Sequence, residues 1–172
     1  MILTESILST DRLILRPSTP ADQDALCDIF GDPEVMKMFD VGYASPRTFT
    51  YEETGQWIKN HIGIDIAPWT ILLKESGEAI GWGGIAYCAD DPQPQAELLY
   101  LFGREHWGRG YATEMAAVAI AYGFSFDGIT SIESGADPDN APSIRVMEKV
   151  GMLRSGLTEA GRLIYSVAKP TE

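Results

Sequence analysis

The stretch AELLYLFGREHWGRGYATEMAAVAIAYGFSF, from Ala96 to Phe126, constrains the fold more than any other part of the chain. An apolar run of strand character gives way to Gly108-Arg109-Gly110. From Gly110 to Phe126 the pattern is helical, with Ala112, Met115, Ala116, Ala119, Gly123 and Phe126 on one face. Because these are mostly small residues, the spacing predicts a helix lying very close to a sheet. A strand, a glycine turn and a tightly packed helix in succession point to an α/β protein.

The rest of the chain agrees with that class. RLILRP, Arg12 to Pro17, alternates apolar and charged residues as a half-buried strand does. In TPADQDALCDIF, Thr19 is placed to cap a helix, Pro20 takes its first position and Asp22 closes a capping box. Leu26, Ile29 and Phe30 form that helix's apolar face. DPEVMKMF predicts a second short helix starting at Asp32-Pro33, residues 40–49 a loop, and YEETGQWIKNHI another helix. WTILLKESGEAIGWGGIAY is a hairpin turning at Glu75, Ser76 and Gly77, and after a second turn at DDPQPQ the run AELLYLF supplies a third consecutive strand. Beyond the long helix come a strand (ITSIESGA), a helix opening at Asn140 and stopped by Gly151, and a last pair, MLRSGL and RLIYSVA, turning at Glu159-Ala160-Gly161. The expectation is one domain over residues 1–172: a mixed, mostly antiparallel sheet of about seven strands flanked by about four helices.

A net charge of −12 argues against a nucleic-acid partner, because phosphate backbones are held by basic stripes and none is present. The same acidic field steers cationic substrates such as amines, and it also aids solubility. Cys27 and Cys88 make neither a disulfide framework nor a CxxC pair and read as small core residues of a reducing compartment. His61 and His106 share no ligand spacing with a cysteine, so no metal is expected. MILTESILSTDRLILRP carries acids where a signal peptide has a basic region, and no apolar run approaches the roughly 20 residues of a membrane span. The expected setting is the cytoplasm, away from membranes.

A loop running from a strand into a helix start presents unpaired N–H groups and the positive end of the helix dipole, which suits phosphate or pyrophosphate. Gly108 and Gly110 let the main chain approach such a ligand with no Cβ in the way. The P-loop pattern is absent, since no GK followed by Ser or Thr occurs here. The dinucleotide fingerprint needs Gly or Ala where Thr113 stands. Taken alone, the loop is equally a tight turn beneath a packed helix.

Four segments, in order, resemble the GCN5-related N-acetyltransferase (GNAT) family, and within it the RimJ/RimL-like branch. TDRLILRPSTPAD is similar to that branch's opening strand and first helix, DPEVMKMF to its next helix, ELLYLFGREHWGRGYATEM to its pyrophosphate-loop segment and NAPSIRVMEKVGM to NxxSxxxxEKxGF. The loop pattern Q/R-x-x-G-x-G/A falls on residues 107–112, with Trp107 in place of Gln or Arg. The resemblance implies splayed central strands, acetyl-CoA as co-substrate without a metal, and an amine acceptor. Leu101, Phe102, Gly103, Gly108, Arg109, Gly110, Tyr111, Ala112, Thr113, Asn140 and Ser143 are then the cofactor-binding candidates. The Phe102 N–H faces the thioester oxygen, Ser143 protonates the departing thiolate, Tyr165 is its alternative, and Glu97 is the base, with Asp91 and Glu159 behind it. Each has a plainer reading beside it: Phe102 as core strand, Asn140 as helix cap, Ser143 as a first-turn residue, Glu97 as a solvated acid.

At about pH 7.4 roughly a quarter of α-amino groups are unprotonated, against roughly a thousandth of lysine side chains. A site without a strong base therefore favours an α-amine or a weakly basic amine. Protein N-termini, polyamines, amino acids and aminoglycosides stay open as acceptors. The resemblance implies acceptor contacts from MFDVGYASPRTFTYEETGQW and SGLTEAGRLIYS, where Tyr43, Phe49, Tyr51 and Trp57 either line the pocket or pack the core, with the core favoured for Trp57 because it falls on a helical face. A non-catalytic acyl-CoA sensor, a different acyl group such as succinyl, and a homodimer are the open alternatives.

Overall fold

The computed structural model of the chain describes residues 8–39, 47–61, 66, 68–87 and 95–171. Among them are eight strands: β1 (Leu8–Ser9), β2 (Leu13–Arg16), β3 (Trp69–Leu73), β4 (Ala79–Ala86), β5 (Ala96–Phe102), β6 (Ser131–Ala136), β7 (Leu153–Leu157) and β8 (Leu163–Ala168). They form one sheet in the order β1-β2-β3-β4-β5-β6-β8-β7, antiparallel throughout except between β5 and β6. Five α-helices accompany it: α1 (Gln23–Phe30), α2 (Pro33–Met36), α3 (Tyr51–His61), α4 (Tyr111–Gly123) and α5 (Ala141–Lys149). The strand beyond the expected seven is β1, whose two residues are too few to show a period. The helix beyond the expected four or so is reached by counting the single turn of α2.

Helices cover both faces. On one, Met115, Ala116 and Ala119 of α4 and Met147 of α5 are buried against Leu13, Leu15, Ile71 and Leu98 of the sheet. On the other, Leu26, Ile29 and Phe30 of α1, Val35 and Met36 of α2 and Ile58 of α3 close over Trp82 and Leu101. Leu13, Leu15 and Ile71 are fully buried, and burial of each such side chain is worth about 1.5–3 kcal/mol.

The close approach of α4 is real. A Cβ at Gly123 would stand 3.0 Å from Ile132 Cδ1 and 3.1 Å from Ile85 Cγ1. The helix stops there, three residues short of the expected Phe126, because the Ser125 and Phe126 N–H groups turn back to the carbonyls of Tyr122 and Gly123. Phe126 then packs edge-on to Tyr122, 5.2 Å between ring centroids.

The α1 layer is pinned by a buried carboxylate. Asp22, at the end of a 3-10 turn over Pro20–Asp22, accepts the Thr19 N–H at 2.8 Å, both terminal nitrogens of Arg16 at 2.7 Å and the Thr70 hydroxyl at 3.2 Å. Burial pushes its carboxyl up, but the bonds from Arg16, Thr19 and Thr70 more than offset this and leave it below its ordinary value. Asp32 caps α2 as expected, accepting the Glu34 N–H at 2.9 Å. Among the described residues no helix is long and apolar enough to cross a membrane.

Candidate active site

β5 and β6 are paired only at Ala96 with Ile132 and Glu97 with Glu133, and beyond those pairs they part. A hydrogen bond from the Ser134 hydroxyl to the Leu98 carbonyl, 2.9 Å and buried, marks the apex of the opening. The other side of β5 stays paired with β4 up to Phe102, and the Gly103 N–H donates to Ile80 O at 3.0 Å. Since strand groups alternate in direction, the N–H and C=O of Leu98, Tyr100 and Phe102 face the opening, while those of Leu99 and Leu101 face β4. A cleft of about 380 Å³ fills the gap, lined from the α5 layer by Asn140, Ser143, Arg145 and Lys149 and from the opposite layer by Glu34, Val35, Met38 and Phe39. It therefore runs through the sheet.

The glycine turn stands at one side of this cleft. Gly108 and Gly110 hold left-handed backbone, φ +71° and +80°, and Gly110 is the N-cap of α4. A side chain is disfavoured by that geometry at both. The first-turn groups of Tyr111, Ala112 and Thr113, whose N–H groups have no partner within the helix, line the cleft together with Gly108 and Gly110. Trp107, half exposed, donates its indole N–H to the Phe102 carbonyl at 2.8 Å. The side chain that replaces Gln or Arg thus occupies the outermost cleft-facing carbonyl of β5.

Asn140 caps α5, its side-chain oxygen accepting the Ser143 N–H at 3.3 Å. That bond aims the first turn of α5 at the cleft, where the Ser143 hydroxyl shares a 2.7 Å hydrogen bond with the Tyr100 hydroxyl. Burial pushes the Tyr100 phenol above its ordinary value, and the Ser143 bond, which pulls the other way, does not offset it. Sequence reasoning singled out Ser143 and missed Tyr100. A tyrosine in an apolar strand gives no signal until the register shows which helix it meets.

Placement of the other candidates is uneven. Glu97 lines the cleft at its paired end. Leu101 and Phe102 line it as well, but the Leu101 backbone faces β4. Gly103 and Arg109 are not among the lining residues; the Gly103 N–H is engaged by Ile80, and Arg109 is exposed with its carbonyl accepting from Arg12 at 2.9 Å. Tyr165 is buried, its hydroxyl 3.4 Å from Glu148. Asp91, Tyr43 and Cys88 lie outside the described residues, and Cys27 is half-buried. Phe49 and Trp57 pack with each other and, through Trp57, with Trp82, at centroid distances of 5.4 and 5.6 Å, while Tyr51 is exposed and bonds Asp24. None of these three lines the cleft; among the described residues, the aromatic one that does so from this layer is Phe39.

Glu97 and Phe102 stand at opposite ends of β5. Five residues of extended strand separate them by about 17 Å. The Tyr100 N–H faces the same opening and stands roughly 10 Å from Glu97 along the strand, while the phenol at the end of the same residue's side chain meets the Ser143 hydroxyl.

The Acetyltransferase (GNAT) domain family matches residues 12–153. The chain is 34% identical over 165 residues to the uncharacterized N-acetyltransferase p20 of Bacillus licheniformis, over 91% of this chain and 90% of that one. Among solved structures it is similar to an acetyltransferase (GNAT family) from Bacillus anthracis, with a TM-score of 0.79 and 25% identity over 94% of this chain and 98% of that one. RimJ of Mycobacterium smegmatis, in complex with CoA-disulfide, shares the fold at a TM-score of 0.72 and 20% identity, over 91% of this chain and 81% of that one.

Proposed function

The chain belongs to the GNAT family of acetyl-CoA-dependent acetyltransferases, and from the layout of its cleft we propose that it acetylates a primary amine by direct attack, with both substrates bound together. The observation that carries this reading is the polarity of the through-sheet cleft. Arg145 and Lys149 line it on the α5 side, and Glu34 and Glu97 line it with the apolar Val35, Met38 and Phe39 on or toward the α2 side. An anionic cofactor is favoured at the first and a cationic amine at the second.

Acetyl-CoA, when bound, supplies a thioester whose acetyl group passes to the amine as the carbon–sulfur bond breaks. The N–H groups at Gly108, Gly110, Tyr111, Ala112 and Thr113 hold its pyrophosphate, with the α4 dipole behind them. The cleft-facing edge of β5 pairs with the pantetheine amides as an added strand would. Because Phe102 stands too far from Glu97, the oxyanion donor lies further in: the Tyr100 N–H takes the role first expected of Phe102, whose amide pairs further out. Asn140 orients the first turn of α5. Ser143, backed by the Tyr100 phenol, delivers the proton that the departing thiolate needs, and Glu97 accepts the proton lost by the amine through a short chain of water.

The acceptor is a protein N-terminal α-amine or a small-molecule amine, and the chain works in the cytoplasm as a RimJ/RimL-like member of its family. The test is thiol release from acetyl-CoA over a panel of N-terminal peptides, polyamines, amino acids and aminoglycosides. Turnover on one class names the acceptor. Tight acetyl-CoA binding with no turnover on any class would replace this reading with an acyl-CoA sensor.

A further inference from the structure

Arg12 stands at the turn between β1 and β2, almost a hundred residues from the glycine loop, yet its side chain is wrapped around that loop. One terminal nitrogen donates to the Arg109 carbonyl at 2.9 Å. Nε and the other terminal nitrogen both reach Glu114 Oε2 at 2.7 Å. The guanidinium lies 4.5 Å from the centre of the Tyr111 ring. Glu114, on the first turn of α4, also accepts the Arg12 N–H at 2.9 Å and the Thr10 hydroxyl. Burial pushes the Glu114 carboxyl up, and the bonds from Thr10 and Arg12 more than offset this, so it titrates below its ordinary value.

We propose that Arg12 is a positioning residue for the cofactor: it fixes the Gly108–Gly110 turn from outside and neutralises the Glu114 carboxylate on the first turn of α4, the helix whose N-terminus receives the cofactor's pyrophosphate. Two glycines in left-handed backbone make a turn that is free to rearrange once nothing holds it. Anion binding through backbone N–H groups requires those groups to converge before the ligand arrives. Arg12 holds three consecutive landmarks of this stretch, the Arg109 carbonyl, the Tyr111 ring and the Glu114 carboxylate. It also passes beside the second glycine, where a Cβ on Gly110 would meet its Nη2 at 3.4 Å. Charge acts separately from geometry. A carboxylate on the first turn of α4 is tolerable next to a dianionic ligand only while a cation is paired with it. The inference rests on the acetyltransferase reading.

The experiment measures coenzyme A binding by calorimetry and the separate kcat and KM values for acetyl-CoA in the wild type, Arg12→Ala, Arg12→Lys, Glu114→Gln and the Arg12→Ala/Glu114→Gln double variant, with melting temperature followed throughout. Arg12→Ala is expected to weaken coenzyme A binding and raise KM about 10- to 30-fold while kcat at saturation stays within about twofold, the span expected when one paired charge is lost near a bound anion. The double variant should recover about half of that loss on a logarithmic scale without recovering melting temperature, which a purely structural strap would not do. Arg12→Lys, which keeps the charge and loses the fork, should fall between the wild type and Arg12→Ala; it carries the comparison if the alanine variant does not fold. Unchanged KM in folded Arg12→Ala, or a double variant no better than the single one, would overturn the proposal. A wild-type protein that binds no coenzyme A would instead overturn the acetyltransferase reading beneath it.

Discussion

The two sides of the cleft are built from different materials. The side proposed for the cofactor is mostly main chain: the left-handed turn at Gly108 and Gly110, the N–H groups of the first turn of α4, and the splayed edge of β5. The side proposed for the acceptor is side chain: Glu34, Val35, Met38 and Phe39 around α2, with Glu97 and Leu99 of β5. A backbone site serves any protein that binds the same pyrophosphate, because the ligand reads N–H groups and not residue types. A side-chain site is specific to its acceptor and can be rebuilt by substitution without disturbing the strand opening. The two sides should therefore fail in different ways.

Gly110→Trp tests the first side and has the largest expected effect. An L-residue held at φ +80° costs about 1–3 kcal/mol, and the indole must displace Arg12 Nη2 or enter the cleft. Coenzyme A binding should fall by more than about 100-fold, the sum of that strain and the lost cradle at about 1.4 kcal/mol per decade. Titration calorimetry decides the matter. If the variant binds normally, the glycine turn is only a turn.

Glu97→Gln tests the other side and should leave the first untouched. Removing a general base lowers turnover by about 10²–10⁴-fold, with coenzyme A affinity the same as in the wild type. A fall in coenzyme A affinity would show that the two sides are not separable at this residue, and undiminished turnover would remove Glu97 from the mechanism.

The same division explains what the sequence made legible. Glycines at 108 and 110, an N-cap at Asn140 and small residues along α4 are visible in one dimension because each is dictated by its local backbone or by close packing. The β5–β6 opening followed from the same segments through their family resemblance. Tyr100 was not legible, since its partner Ser143 lies 43 residues away and only the register of the splayed strands brings the hydroxyls together. The cleft lining around α2 was legible only in part, for a related reason. Trp57 packs with Trp82, as its place on a helical face implied, and Phe49, open to either reading, packs with Trp57. Met38 and Phe39, at the head of the expected acceptor segment, line the cleft together with Val35, but the helix they belong to or follow is so short that it has no apolar periodicity to single them out. Arg12 reads as the charged half of a strand alternation until the fold places it on the loop.

Tyr100→Phe probes the seam between the two sides. It deletes one hydroxyl and leaves the ring in its packing, so stability should change by only about 0.5–1.5 kcal/mol, the net worth of one hydrogen bond. If Tyr100 backs the proton delivered by Ser143, kcat should fall about tenfold, less than the roughly 10²–10⁴-fold of a group that transfers the proton itself, with KM for acetyl-CoA unchanged. Ser143→Ala should fall at least as far, and the double variant no further than the worse single one, since the two hydroxyls act as one relay. Additive losses would mean that the pair is structural.

The smallest effect is expected from pH, which separates the anchors of the two layers without any substitution. Asp22, which pins α1 on the acceptor side, and Glu114, beneath the glycine turn, both titrate below their ordinary values. Their contribution to stability is present above about pH 4, the range of an unfolded carboxyl, and is lost as the pH falls through their depressed folded values. Tyr100 has the opposite sign. Its protonated form is favoured in the fold, so its contribution is full below about pH 10 and is lost as the pH rises through the raised folded value. Melting temperature should therefore fall at both extremes, by about 2–4 °C for each kcal/mol lost in a chain of this size. Asp22→Asn should flatten the acid limb alone, and Tyr100→Phe the alkaline limb alone. An acid limb that persists unchanged in Asp22→Asn would show that the α1 layer is held mainly by the packing of Leu26, Ile29 and Phe30 over Trp82, with the buried carboxylate a passenger.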